Sequence, residues 1–260
     1  VAAHGHILAI EISNPSAGHS GTGGPGVALG RLKDRGVDVL DVEPVRASGF
    51  GARPAPGSGA PAFGGHDDDL MPAIDRLFGR TGVRPRAQLA LVAVSVGPGG
   101  YTSLRVACAV GKMIAAAAAN AGEPARCVGV PTAMVVLESA PADVRAGRVA
   151  VVLASKAETA WIECFEAGLS TGPGRIMTAE DATPLIAKGV RTLIADRFLP
   201  QSIRSALAAA GARVLEPVFD AAACARVGVG LPSIAPSDLV PIYPREPDAV
   251  TLWRSRAERP

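Results

Sequence analysis

Val92-Ala93-Val94-Ser95-Val96-Gly97-Pro98-Gly99-Gly100-Tyr101-Thr102-Ser103-Leu104-Arg105 carries an apolar run through a glycine turn directly into a helical pattern. Residues 89–96 are apolar, rich in β-branched side chains and too short to span a membrane, which predicts a central strand of a sheet. Three glycines around Pro98 end that strand, because they allow backbone angles closed to other residues and a close approach by another surface. Thr102 or Ser103 is placed to cap the helix predicted over residues 102–120.

That helix is built from small side chains: Ala107, Cys108, Ala109, Gly111 and the run of alanines at 115–119. Small residues three and four apart flatten one helix face and let a neighbour come close. The neighbour is either a second helix or the chain's own sheet. A strand, a glycine turn and a helix N-terminus also form a possible anion site. Residues 97–102 read GPGGYT, however, and lack the lysine of a nucleotide-cradling loop.

Working outward, 260 residues suit two modest domains or one large one. A net charge of only +2 with no long basic block argues against extensive nucleic-acid wrapping. Cys108, Cys127, Cys164 and Cys224 are scattered, with no CxxC pair and no histidine at zinc-ligand spacing, so they read as buried thiols. No membrane-length stretch and no secretory leader pattern are evident, and the expected compartment is the cytoplasm.

Period and punctuation suggest two similar halves. Residues 6–13, 25–32 and 37–45 read as a meander of strands. Residues 46–65, dense in Gly, Pro and Ala, read as a mobile loop. Residues 67–80 follow as a helix opened by three aspartates, before the strand, turn and helix already described. The second half repeats the order: strands over 148–157, 159–167 and 174–178, helix 182–188, strand 192–196, helix 201–210 and strand 213–216. Three strands followed by alternating helices and strands, twice over, predict a duplicated α/β unit of ribonuclease-H-like type.

Five segments then carry a resemblance: ILAIEIS (7–13), HDDDLMPAID (66–75), SVGPGGYTSLRVACAVGKMIA (95–115), GVPT (129–132) and VPIYPREPDAV (240–250). Their order resembles the TsaB family of YeaZ type, which serves tRNA threonylcarbamoyladenosine synthesis. The resemblance covers most of the chain, and the glycine-to-arginine stretch is its most specific mark. It implies an actin-like, chaperone-ATPase-like fold of two ribonuclease-H-like domains, expected at 1–121 and 122–236 with a tail at 237–260. It also implies a non-catalytic subunit that binds and activates a TsaD-like catalytic partner. A TsaE-like ATPase would dock on the assembled pair, tRNA would be contacted only indirectly, and a homodimer could form when the chain is alone. The expected partner interface is Gly97, Pro98, Gly99, Gly100, Tyr101, Thr102, Leu104, Arg105, Ala107, Cys108, Gly111, Lys112 and Ala115.

No catalytic, cofactor-binding or metal-ligating residue is assigned. The first strand ends in Glu11 rather than the aspartate usual in actin-like folds, and Ile12 follows it rather than a hydroxyl residue. His66 has no second histidine one helical turn away. Ser155-Lys156-Ala157-Glu158 departs from the family's aspartate and arginine before its hairpin, and Gly100 and Ser103 stand where a serine and a glycine are usual. Two rivals remain in view. Residues 21–26 fit GxGxxG, but the segment after them reads as a strand where a dinucleotide site needs a helix. The other rival is an active ATPase or hydrolase of the same fold. A serine hydrolase finds little support, since Ser95 lies on the strand and no histidine follows it.

Overall fold

The computed structural model describes residues 5–14, 25–34, 36–45, 69–120, 123–244 and 253–254. The 46–65 loop, His66, the first two of the three aspartates and most of the GxGxxG stretch lie outside these residues.

The chain opens with β1 (His6–Glu11), β2 (Gly26–Lys33) and β3 (Gly36–Pro44), antiparallel in succession. Then come α1 (Leu70–Thr81), the short α2 (Pro85–Gln88), β4 (Leu89–Gly97) and α3 (Tyr101–Ala117). A two-residue pair, β5 (Ala119–Asn120) and β6 (Glu123–Pro124), leads into β7 (Arg126–Pro131). Both β4 and β7 run parallel to β1, giving a sheet of order β3-β2-β1-β4-β7.

Two short helices, α4 (Thr132–Glu138) and α5 (Ala142–Arg145), connect to the second sheet. Its strands are β8 (Arg148–Ala154), β9 (Ala160–Glu166), β10 (Leu169–Ser170) and β11 (Arg175–Met177). They are followed by α6 (Ala182–Ala187), β12 (Thr192–Ala195), α7 (Gln201–Ala209) and β13 (Arg213–Leu215). Here β9 is antiparallel to β8, β10 and β11 both pair with β9, and β12 and β13 are parallel to β8. The two sheets share one winding: an antiparallel meander on one side of the first strand, parallel crossover strands on the other. This is the duplicated ribonuclease-H-like arrangement.

The first sheet is buried on both faces, which is why its central strands read as unbroken apolar runs. Leu8, Ile10, Val92 and Val94 pack with α1 and α3, whereas Ile7, Ala9, Leu91 and Ala93 face the opposite layer. That opposite layer is a late helix, α8 (Ala221–Gly228), which returns from beyond the second sheet to cover the first. Asp220 caps it, accepting from the amides of Ala222 and Ala223. A glycine on each side grips β4. A Cβ on Gly111 of α3 would stand 2.6 Å from Val94, and one on Gly228 of α8 would stand 2.8 Å from Ala93. Because β7 and α8 both belong with the first sheet, the two sheets do not divide at residue 121.

Other expectations shift locally. Gly100 is the N-cap residue of α3 and no side chain caps it; Thr102 is exposed in the first turn and Ser103 is buried. Of the aspartates before α1, Asp69 is the N-cap residue, but its side chain makes no capping hydrogen bond and accepts from Arg76 at 3.0 Å. Gly26 opens a strand, contrary to what a dinucleotide site would need.

Candidate functional site

Three segments meet at the C-terminal end of β4. Gly97 adopts a left-handed φ of 113°, and a Cβ there would strike the Ile242 carbonyl oxygen at 2.8 Å and Leu104 at 2.9 Å. The Ile242 amide donates to the Val96 carbonyl at 2.7 Å, so the segment around residues 239–243 lies across the strand end. From the other side, the Gly100 amide donates to the Ser13 carbonyl at 2.7 Å, and a Cβ on Gly99 would stand 2.3 Å from that same oxygen. Gly97 and Gly99 are therefore each required by a backbone that passes too close for a side chain.

Behind this junction lies a buried polar cluster. Glu11 is fully buried at the end of β1, its Oε1 accepting from the Ser13 amide at 2.7 Å and the Ser13 hydroxyl at 2.6 Å. Its Oε2 has no partner among the described residues. The Ser95 and Thr132 hydroxyls, both fully buried, share a hydrogen bond of 2.9 Å. Burial pushes the Glu11 carboxyl above its ordinary value, against the hydrogen bonds of Ser13 and Ser95, and the charge of Asp220 adds to the rise. The Cys224 thiol is also pushed up, chiefly by burial and further by Glu11 and Asp220. Across the lobes, Asn14 Nδ2 donates to Asp196 Oδ2 at 3.3 Å, tying the loop after β1 to the loop after β12.

Apart from Glu11 Oε2, the polar groups at this junction are engaged with one another. The Ser13 hydroxyl and amide are taken by Glu11, the Gly100 amide by Ser13, and a buried carboxyl stands behind them. Among the described residues no three His, Cys, Asp or Glu side chains gather as a metal site.

The outward face of α3 is different in kind. Tyr101 is 48% exposed and Met113 53% exposed. The Arg105 guanidinium lies 4.1 Å from the centre of the Tyr101 ring, and its Nε donates to the Tyr243 hydroxyl at 3.1 Å. The Tyr101 and Tyr243 rings approach to 5.2 Å between centroids. Lys112 Nζ donates to the Ser237 carbonyl at 3.1 Å. Val240 and Ile242 extend the patch with exposed apolar surface.

The expected interface residues thus separate. Gly99, Gly100, Tyr101, Thr102 and Arg105 are exposed and Lys112 is half-buried, whereas Gly97 and Pro98 are buried in the turn. Leu104, Ala107, Cys108, Gly111 and Ala115 are buried in the chain's own core. Their small size serves the second of the two alternatives, close approach of the helix to its own sheet and to the fully buried Leu239. Sequence reading missed Tyr243 as a member of the patch. A signal existed: the chain has two tyrosines, and both are here.

The chain matches the family described as TsaD: tRNA N6-adenosine threonylcarbamoyltransferase over residues 61–160, a span that holds β4, the glycine turn and α3. No curated protein matches the chain. Among solved structures, it is similar to an uncharacterized protein with similarity to peptidase YEAZ from Pseudomonas aeruginosa. The identity is 16% and the TM-score 0.61, over 93% of this chain and 100% of that one. YeaZ from Pseudomonas aeruginosa is similar at 15% identity and a TM-score of 0.60, over 92% of this chain and 99% of that one. The YeaZ type that the motifs resemble is thus also the type whose duplicated, actin-like fold this chain has, over most of its length.

Proposed function

We propose that this chain is a non-catalytic subunit of the tRNA threonylcarbamoyladenosine machinery, which binds and activates a TsaD-like catalytic partner through the exposed face of α3. The observation that carries this reading is the patch of Tyr101, Arg105 and Tyr243. Tyrosine and arginine are the residues on which binding energy concentrates at interfaces, and here they are held by one another before any partner arrives. Gly99, Gly100 and Thr102 adjoin the patch in sequence, and Lys112 and Met113 lie further along α3. The buried cores of the turn and helix, including Gly97, Pro98 and Gly111, support it from beneath.

The junction at Glu11 and Ser13, where the Ser13 hydroxyl and amide and the Gly100 amide are all engaged within the chain, favours a supporting role over nucleotide chemistry. A peptidase reading, raised by the description of one structural neighbour, draws no support from Ser95. That side chain is fully buried and bonded to Thr132, and His6 is the one histidine among the described residues. A TsaE-like ATPase would join the assembled pair, with tRNA reached through the partner.

The test is the amount of threonylcarbamoyladenosine in hydrolysed tRNA after depletion of this protein in its native cell. A selective fall, restored by the intact gene and not by a Tyr101→Ala, Arg105→Glu double variant, is expected. An unchanged level under complete depletion overturns the reading and redirects attention to ATP hydrolysis by the isolated chain. Size-exclusion of the isolated chain tests a homodimer through the same face.

A further inference from the structure

The outward patch is made by two pieces of chain far apart in sequence, α3 and the segment over residues 231–244. That segment is irregular for a reason in its sequence. Pro232, Pro236, Pro241 and Pro244 lack the amide that a strand or helix would need, and a single 3₁₀ turn, Pro236–Asp238, forms. Such a segment has no ladder of its own and must be held by what it crosses. Among the described residues from 231 onward, Leu239 is the one buried side chain.

Leu239 sits where two glycines leave room. A Cβ on Gly111 of α3 would come to 3.3 Å from its side chain, and one on Gly129 of β7 to 3.7 Å. Gly129 opens the GVPT stretch, so that motif and the small face of α3 are joined through one leucine. Before Leu239 the segment is pinned by its backbone. Ile234 and Cys127 exchange amide-to-carbonyl bonds at 2.8 and 3.2 Å, and Lys112 Nζ reaches the Ser237 carbonyl. After Leu239, among the described residues, one backbone bond follows, from the Ile242 amide to Val96. Tyr243 is the next residue, and its place against Tyr101 and Arg105 depends on these last two holds.

We propose that Leu239 is the positioning residue of a C-terminal strap: seated between Gly111 and Gly129, it holds Tyr243 against Tyr101 and Arg105. With the leucine out of its seat, the strap beyond it is kept down by one backbone hydrogen bond and lifts. Burial of the leucine side chain drives the seating. Its benefit is felt elsewhere, because a tyrosine already fixed in place does not have to be ordered when a partner binds.

The test compares the full chain with its Leu239→Ala and Leu239→Met variants by two readouts. The first needs no partner. In Leu239→Ala the Ile242 amide should exchange its hydrogen about tenfold faster than in wild type while the amides of β4 stay protected, and Leu239→Met should follow wild type. An Ile242 amide that opens only together with β4 overturns the proposal. The second readout is affinity for a TsaD-like partner, and here the inference rests on the proposed function. Leu239→Ala should weaken binding about tenfold, and its addition to Tyr243→Ala should cost less than about threefold more. Losses that multiply in the double variant overturn the assignment, since Leu239 would then act on the lobe at large and not through Tyr243. Wild type that binds no such partner overturns the proposed function instead, and the exchange rates then decide the strap alone. Should Leu239→Ala fail to fold, Leu239→Val carries both readouts with smaller shifts.

Discussion

Tyr101 and Tyr243, the two tyrosines of the chain, face each other at 5.2 Å between ring centroids, although one begins α3 and the other lies 142 residues later. The cation of Arg105 joins both. Tyr243→Ala removes one ring and the hydrogen bond to Arg105 while touching no core side chain. It should therefore leave the melting temperature within a few degrees of wild type and weaken binding to a TsaD-like partner by about tenfold or more. Isothermal titration and a thermal melt, run on the same preparation, separate the two effects.

The glycine turn makes a second prediction, about stability. A methyl group at Gly99 would meet the Ser13 carbonyl at 2.3 Å, a backbone atom already engaged by Gly100. Gly99→Ala should cost about 1–3 kcal/mol in urea unfolding. Gly79→Ala is the control. It sits in α1 with nothing within 4 Å of the new methyl, and should be neutral or stabilising by up to ~1 kcal/mol.

Leucine at Ala107, Gly111 and Ala115 should unfold the first lobe rather than block a partner selectively. Gly111 has no room even for a methyl, with Val94 at 2.6 Å and Leu239 at 3.3 Å. Loss of the cooperative melt by circular dichroism is the expected outcome. A triple variant that melts normally would mean that the helix can lift from its sheet.

Glu11 gives a pH signature. Burial raises its folded pKa above the ordinary 4.5, so as pH rises the unfolded chain releases this proton first. The contribution to stability is complete below the ordinary value and declines as pH climbs from there through the folded pKa. Glu11→Gln stays uncharged throughout and should lack that decline, so urea midpoints measured from pH 4 to 8 should diverge in favour of the variant toward high pH. Parallel curves would mean that the carboxyl is solvated.

The thiols divide by burial. Burial pushes Cys108 and Cys127 each up to about 11 and raises Cys224 as well. Native protein at pH 8 should present one titratable thiol to Ellman's reagent, Cys164, and all four in guanidinium. Rapid reaction of a second thiol would contradict the packing of α3 or α8.

Much of this fold was legible because its signals are local. In the second lobe, strands and helices fall within a few residues of their expected places: β12, expected over 192–196, spans Thr192–Ala195. What sequence could not convey was partnership. Ala221–Gly228 is short and built mostly from alanine, with no large apolar stripe to mark a buried face, and nothing local says that it returns to the first sheet. Smallness in α3 was equally ambiguous, since it licenses close approach without naming what approaches. In the candidate site, Tyr101 and Arg105 were visible as members of a motif. Tyr243 was not, because only the crossing of residues 239–243 over β4 brings it there.

That same late return orders the birth of the molecule. The second sheet is complete once Leu215 has been added, all its strands lying between Arg148 and Leu215. The first sheet has its strands by Pro131 but waits for Ala221–Gly228 to cover one face and for Leu239 to fill the gap beside Gly111. On the ribosome, then, the half made first finishes last, and until the final helix emerges Ile7, Ala9 and Ala93 stand uncovered, a surface for chaperones to hold.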